Sequence, residues 1–268
     1  MSEDEIARRF ERDGFVFPID VMSRDTALTC RHQLESLESV ASDVKLGNNN
    51  QLNYPHVIFR FASEIVRNSR ILDAVEAILG PDILCWGSTF FIKEPHSESY
   101  VSWHQDLRYW GLDSADEVSA WLALSNVNES NGCMRFIPAS HHGDLLPHRD
   151  SYDKDNALTR GQEADTAIDD RKAVSVPLRP GQMSLHHGKL LHCSGPNRSD
   201  ERRIGLAINY IAPQVRQVVA SEDFAVLVRG EDRHGNFQLV PTPREDLSAD
   251  ALDWHRRILG AQNEAMYD

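Results

Sequence analysis

From Pro81 onward the chain is cut into short segments, and this constrains its fold more than any other feature. Ile83–Lys93, Val118–Val127, Cys133–Ile137, Ala173–Leu178, Gln182–His186 and Ile204–Ala212 are rich in β-branched and aromatic residues. Between them fall Asn131-Gly132, Pro180-Gly181 and Gly195-Pro196-Asn197, combinations that favour tight reversals over helix. Short strands separated by such turns predict a mainly β core of the sandwich or jelly-roll kind.

Before Pro81 the pattern is helical. Ser2 followed by Glu5 is a capping-box signature, and Gly14 is a stop ahead of the apolar stretch Phe15–Pro18. After Ser23, the residues Leu28, Leu34, Leu37 and Val40 recur at roughly helical spacing and predict a second helix with one buried stripe. Ile71, Leu72, Val75, Ile78 and Leu79 mark one face of a third helix, Ser69–Leu79, which Gly80-Pro81 ends. The expected organisation is a single domain over 1–268. Residues 1–80 form helical support packed outside the sheet, 81–213 the β core, and 214–268 an extension with a peripheral helix near Ser248–Leu259. Segment 143–172 is polar and highly charged, and reads as a long exposed loop and a candidate lid.

Chemistry concentrates in two places. In an extended His104-Gln105-Asp106, alternate side chains share a face, so His104 and Asp106 converge while Gln105 points elsewhere. The later run Leu185–His192 offers a third ligand from His186, His187 or His192. Two histidines and one carboxylate on one side of a metal form the facial triad of ferrous oxygenases. With 12 histidines in the chain, spacing alone leaves the third ligand open.

Composition removes other classes of function. Lys and Arg number 28 against 41 acidic residues, a formal charge of −13, which argues against a general grip on nucleic acid or anionic membrane and leaves a small molecule as the expected partner. Cys30, Cys85, Cys133 and Cys193 form no Cys-x-x-Cys pair, so neither a zinc ribbon nor a disulfide framework is indicated, and reduced thiols suit a cytoplasmic setting. The N-terminus is acidic, and no apolar run approaches the roughly 18 residues of a membrane span.

Several motifs together resemble the phytanoyl-CoA dioxygenase family of iron(II)- and 2-oxoglutarate-dependent oxygenases, over most of the chain from Phe10 to about Pro213. They are the opening Phe10–Phe15, the core Trp103–Trp110, the stretch from Asn131-Gly132-Cys133 to His141, and His192 followed by Cys193-Ser194-Gly195-Pro196-Asn197 and Arg202-Arg203. The resemblance implies a double-stranded β-helix, a jelly roll of cupin-like form, with His104, Asp106 and His192 as iron ligands. The family places an arginine eleven positions beyond the distal histidine. That makes Arg203 the expected clamp for the far carboxylate of 2-oxoglutarate, a contact suited to a planar guanidinium. Ser194, Gln105 and Trp121 match residues lining the same pocket, although Trp121 also reads as a core aromatic. Arg202 is expected to face away.

Gln182 and Cys193 depart from the family pattern, and neither touches a proposed ligand. Retention of Asp106, where related halogenases carry a small residue, implies hydroxylation of a substrate with dioxygen as co-substrate and release of succinate and carbon dioxide. The substrates the resemblance permits are acyl-CoA, amino-acid-like solutes, aminophosphonates and natural-product intermediates, with a small polar metabolite favoured. His56, Arg60, Tyr109 and Trp110 are the candidate substrate contacts. Tyr109 and Trp110 read equally as cover for the sheet end. A cupin-like metalloenzyme without 2-oxoglutarate and a non-catalytic sensor are the alternatives.

Overall fold

The computed structural model describes residues 1–43 and 51–267; the side chains of 39–43 and 264–267 lie outside that description. Five helices precede the main strands: α1 (Glu3–Asp13), α2 (Arg24–Asp43), α3 (Pro55–Ile58), α4 (Arg60–Val66) and α5 (Ser69–Leu79); α6 (Ala249–Tyr267) closes the chain. Ser2 caps α1 by accepting the Glu5 N–H, and Gly14 ends it in the left-handed region at φ 81°. The buried stripe of α2 runs through Ala27, Cys30 and Leu34, with Leu28 and Leu37 only half-buried. Val40 lies outside the described side chains.

The strands are β1 (Phe15–Asp20), β2 (Gln51–Asn53), β3 (Ile83–Lys93), β4 (Val101–His104), β5 (Glu117–Ala123), β6 (Met134–Phe136) and β7 (His148–Asp150). After them come β8 (Gln162–Ala164), β9 (Val174–Val176), β10 (Gln182–His186), β11 (His192–Ser194), β12 (Arg203–Ile211), β13 (Phe224–Arg229) and β14 (Gln238–Leu239). The large sheet has the order β1-β10-β5-β12-β3-β13-β14, with β2 also on β3, and a second sheet has the order β4-β11-β6-β9. Each of the six segments expected to be strands contains one, Val118–Val127 only as far as Ala123, and the mainly β, cupin-like expectation holds.

Period-two alternation divides core from site. On β12, Ile204, Leu206, Ile208 and Tyr210 face the helices and join one apolar core with Ile58, Ile71 and Val75. The intervening Arg203, Ala207 and Asn209 face the space between the sheets. On β5, Val118, Ala120 and Leu122 belong to the helix-side core, whereas Ser119 and Trp121 line that inner space. The register places Ala207 beside Trp121 and Asn209 beside Ser119, so the two strands build one wall.

Two expectations about peripheral segments need correction. Residues 143–172 are not simply an exposed loop: β7 and β8 pair as a hairpin, and Asn156 and Gln162 are buried. The backbones of Tyr100 and Ala157 bond to each other, and Asn156 Nδ2 donates to Ser102 Oγ at 2.9 Å, which fixes the hairpin against β4. Nor is the final helix merely peripheral, because Leu259, Gln262 and Asn263 reach the inner cavity. Among the described residues, no helix is long and apolar enough to cross a membrane.

Candidate metal centre and its cavity

His104 ends β4, Asp106 opens the short 3-10 helix Asp106–Arg108, and His192 begins β11. Strands β4 and β11 are antiparallel neighbours with His104 directly opposite His192, which brings the two rings to 4.1 Å between centroids. Ligand-capable atoms of all three residues lie within 4.8 Å of one another. The strand alternation expected for His104-Gln105-Asp106 therefore brings two side chains to one point, and sheet pairing adds the third.

The tautomers decide what this point can hold. His104 Nδ1 donates to the Ser102 carbonyl at 2.9 Å, and His192 Nδ1 donates to the Leu190 carbonyl at 2.9 Å. In each neutral ring the proton is committed to the backbone, so Nε2 presents a lone pair. Burial pushes His192 down to about 3, so it is neutral at ordinary pH. Two imidazole lone pairs and a carboxylate then converge, with His104 Nε2 only 3.1 Å from Asp106 Oδ1. Three electron-rich atoms at one spot repel unless a cation lies between them, and backbone-anchored histidines are the usual partners of such a metal. The donor set fits a divalent metal with open positions.

His186 and His187, the competing candidates, separate. His186 lines the cavity with Nε2 3.7 Å from Asp106 Oδ2, beside the set of three. His187 turns away to Glu117 and stacks on Phe10.

The cavity encloses about 500 Å³ and is lined by His104, Asp106 and His192 together with Ser194, Trp121 and Arg203. Arg203 is 2% exposed; its Nη1 donates to the Gly132 carbonyl at 3.0 Å, its guanidinium lies 5.1 Å over the Trp121 ring, and its buried Nε has no partner. Burial pulls it down to about 10, which leaves it charged at neutral pH. Among the described residues no carboxylate pairs with it, so a buried cation faces the cavity without a counter-charge, a costly arrangement unless an anion arrives. Arg202 points the other way, to Glu35, Glu38 and Glu94. Trp121 serves both readings given to it, since it packs in the apolar cluster between the sheets and also lines the cavity.

Other expected contacts fall elsewhere. Gln105 is fully buried but outside the cavity: Nε2 donates to the Lys189 carbonyl and Oε1 accepts from Leu146 N–H, each at 2.8 Å. The alternation that unites its neighbours sends it to the opposite face, where it ties two loops together. Arg60 is exposed on α4 and borders a separate surface hollow beside Glu64, on the helix side of the large sheet. His56 lies behind the cavity wall, with Nδ1 2.6 Å from Ser88 Oγ. Tyr109 and Trp110 do line the cavity.

Sequence reasoning passed over Lys93, whose Nζ donates to Ser194 Oγ at 2.7 Å and to the Ser194 and Gly195 carbonyls. Its position opposite Arg203 at the end of β3 depends on register. Asn209 and Ser119 were missed as well, although both continue the inward alternation from Arg203 and Trp121.

A family model for phytanoyl-CoA dioxygenase (PhyH) matches residues 10–205. The chain belongs to the phytanoyl-CoA dioxygenase family. A curated relative, the probable alpha-ketoglutarate-dependent hypophosphite dioxygenase of Stutzerimonas stutzeri, is 33% identical over 160 residues, 59% of this chain and 55% of that protein. Peroxisomal phytanoyl-CoA dioxygenase of Homo sapiens is 30% identical over 146 residues, 52% of this chain and 43% of that one. The matches span about half the length of these curated relatives. Among solved structures, the apo form of a non-heme monooxygenase, ThoJ, is similar with a TM-score of 0.87 at 35% identity, over 97% of both chains. CytC3 with Fe(II) and alpha-ketoglutarate shares the fold with a TM-score of 0.69 at 20% identity, over 92% of this chain and 96% of that one.

Proposed function

We propose that this family member is an Fe(II)- and 2-oxoglutarate-dependent oxygenase that hydroxylates an aliphatic C–H bond of a small molecule. The observation that carries this reading is the pairing of the His104, Asp106 and His192 donor set with the uncompensated guanidinium of Arg203 in one cavity. His104, Asp106 and His192 would hold the iron. When bound, that centre supplies dioxygen activation coupled to oxidative decarboxylation of 2-oxoglutarate to succinate and carbon dioxide.

The chain's own residues supply position and environment. Arg203 offers its unpartnered Nε to a carboxylate, and Gly132 restrains its Nη1, so the fork is oriented beforehand. Trp121 lies against the guanidinium and keeps water from it. Ser194 Oγ, positioned by Lys93, adds a polar contact in the same region. His104 and His192, with their Nδ1 protons committed to the Ser102 and Leu190 carbonyls, would hold the metal together with Asp106 at the cavity wall. The relative named as alpha-ketoglutarate-dependent supports this reading.

Anaerobic titration with ferrous iron and 2-oxoglutarate tests it. A weak visible charge-transfer band that requires both additions, and weakens in Arg203→Ala, is the expected result. Absence of the band would instead favour a cupin-like metalloenzyme without 2-oxoglutarate, or a sensor.

A further inference from the structure

A metal and one dicarboxylate do not fill the cavity. Its volume of about 500 Å³ falls within the ~300–1,000 Å³ of pockets that bury drug-sized molecules. Among the described residues lining it, only Asp106 and Arg203 carry a formal charge, and both belong to the proposed metal and co-substrate region. The rest of the wall is neutral. Charged groups behind the wall are spent on protein groups: Lys93 on Ser194 and Gly195, Asp223 on the Trp86 indole N–H at 2.8 Å and the Gln217 amide at 3.1 Å, and Arg160, 5.7 Å over the Tyr109 ring, on Asp150 at 3.1 Å.

That neutral wall is structured. Beyond Arg203, strand β12 presents Ala207 and then Asn209, whose Nδ2 reaches Ser119 Oγ only at 3.4 Å, long for a hydrogen bond. The Asn209 amide is otherwise uncommitted among the described residues. On another wall Trp86 and Trp110 stand with ring centroids 5.2 Å apart at 58°, the former fixed by Asp223. Gln262 and Asn263 of α6 add two further amides.

We propose that the substrate is an uncharged molecule combining a flat apolar portion, packed on Trp86 and Trp110, with an amide or hydroxyl group that hydrogen-bonds Asn209. The proposal rests on the oxygenase reading for the reaction, and on the cavity alone for the ligand. A carboxylate, ammonium or phosphate in the outer cavity loses hydration and meets no counter-charge. A neutral amide loses less, and the Asn209 side chain replaces what it gave up. The same argument disfavours acyl-CoA, zwitterionic solutes and phosphorus oxyanions as substrates.

The test uses four probes that share one ring, in mildly acidic buffer so that the free amines are protonated: N-acetyl-L-phenylalaninamide (neutral), N-acetyl-L-phenylalanine (anion), L-phenylalaninamide (cation) and L-phenylalanine (zwitterion). Binding to the full chain is read by saturation-transfer NMR, with and without anaerobic Fe(II) and 2-oxoglutarate. The neutral probe is expected to bind at least tenfold tighter than each charged one, and Asn209→Leu to weaken it about tenfold while Arg60→Ala, at the separate surface hollow, does not. If Asn209→Leu fails to fold, Asn209→Ser takes its place. Equal or tighter binding of a charged probe, binding of no probe, or indifference to Asn209 overturns the proposal. A chain that prefers the neutral probe but forms no iron and 2-oxoglutarate chelate sinks the oxygenase reading and leaves the ligand class standing. Chelate formation with charge-indifferent probe binding does the reverse.

Discussion

Gly205 of β12 lies directly beneath the indole of Trp121 on β5, so close that a Cβ at position 205 would overlap the ring. The indole in turn lies against the Arg203 guanidinium. Position 205 therefore sets how near Trp121 and Arg203 come to each other. Gly205→Ala should displace the ring at an overpacking cost of about 1–3 kcal/mol, seen as a melting temperature lower by several degrees, and should weaken 2-oxoglutarate binding. In the double variant with Trp121→Leu the extra methyl group has room, and the two effects should fall short of additive in a double-mutant cycle.

Asp106 and His186 have different expected roles, and metal titration separates them. Asp106→Ala removes a ligand and should abolish both hydroxylation and tight ferrous binding. His186→Ala removes only the imidazole 3.7 Å from Asp106 Oδ2 and should cost the ~10–100-fold in affinity typical of a group that orients a ligand. Equal losses in the two variants would put His186 in the coordination shell.

Acid should destabilise the fold through buried histidines. His56, remote from the triad, is pushed down to about 3 by burial, so it stays neutral in the folded chain while the unfolded chain binds a proton below about 6.5. The stability it contributes is full above that value and lost progressively as pH falls towards 3. At pH 5 the loss is about 2 kcal/mol, from 1.5 units at ~1.4 kcal/mol each. His187, pushed down to about 4, acts with the same sign. Denaturant melts at pH 7 and pH 5 should show the drop, and His56→Gln should reduce it by about that amount.

Glu117 is buried at the start of β5, where its Oε1 accepts the Gly188 N–H and its Oε2 has no partner. Burial holds its carboxyl well above the usual range, which favours the protonated form. Glu117→Gln, which has the shape of the protonated acid, should melt within a degree or two of the parent. Glu117→Ala leaves the Gly188 N–H unsatisfied at a cost of about 1–3 kcal/mol, and should raise hydrogen exchange in the loop leading to His192.

The strands legible in the sequence were those whose own residues state the pattern. Ile83–Lys93 and Gln182–His186 match the structure at both ends, because the turn signals Gly80-Pro81 and Pro180-Gly181 mark where they begin. The short β4 and β11 carry two of the three candidate ligands yet have no strand signature of their own; pairing with each other holds them extended. The site divides similarly. Alternation foretold that His104 and Asp106 converge and that Gln105 does not, and this local rule prevailed over the family-based placement of Gln105 in the pocket. Arg60 failed because sequence proximity to a family position says nothing about which side of a sheet a helix occupies. Asn209, Lys93 and α6 reach their places through register and docking, which no local pattern encodes.

The family match ends at residue 205, whereas Asn209, Leu259, Gln262 and Asn263 come later in the chain. Part of the wall proposed to face the substrate thus comes after the stretch that carries the proposed metal and co-substrate residues, while Trp86 and Trp110 lie within that stretch. The C-terminal sixty residues form a natural graft: exchanging them among relatives offers a way to redirect the same oxidation to new molecules while leaving His104, Asp106, His192 and Arg203 untouched.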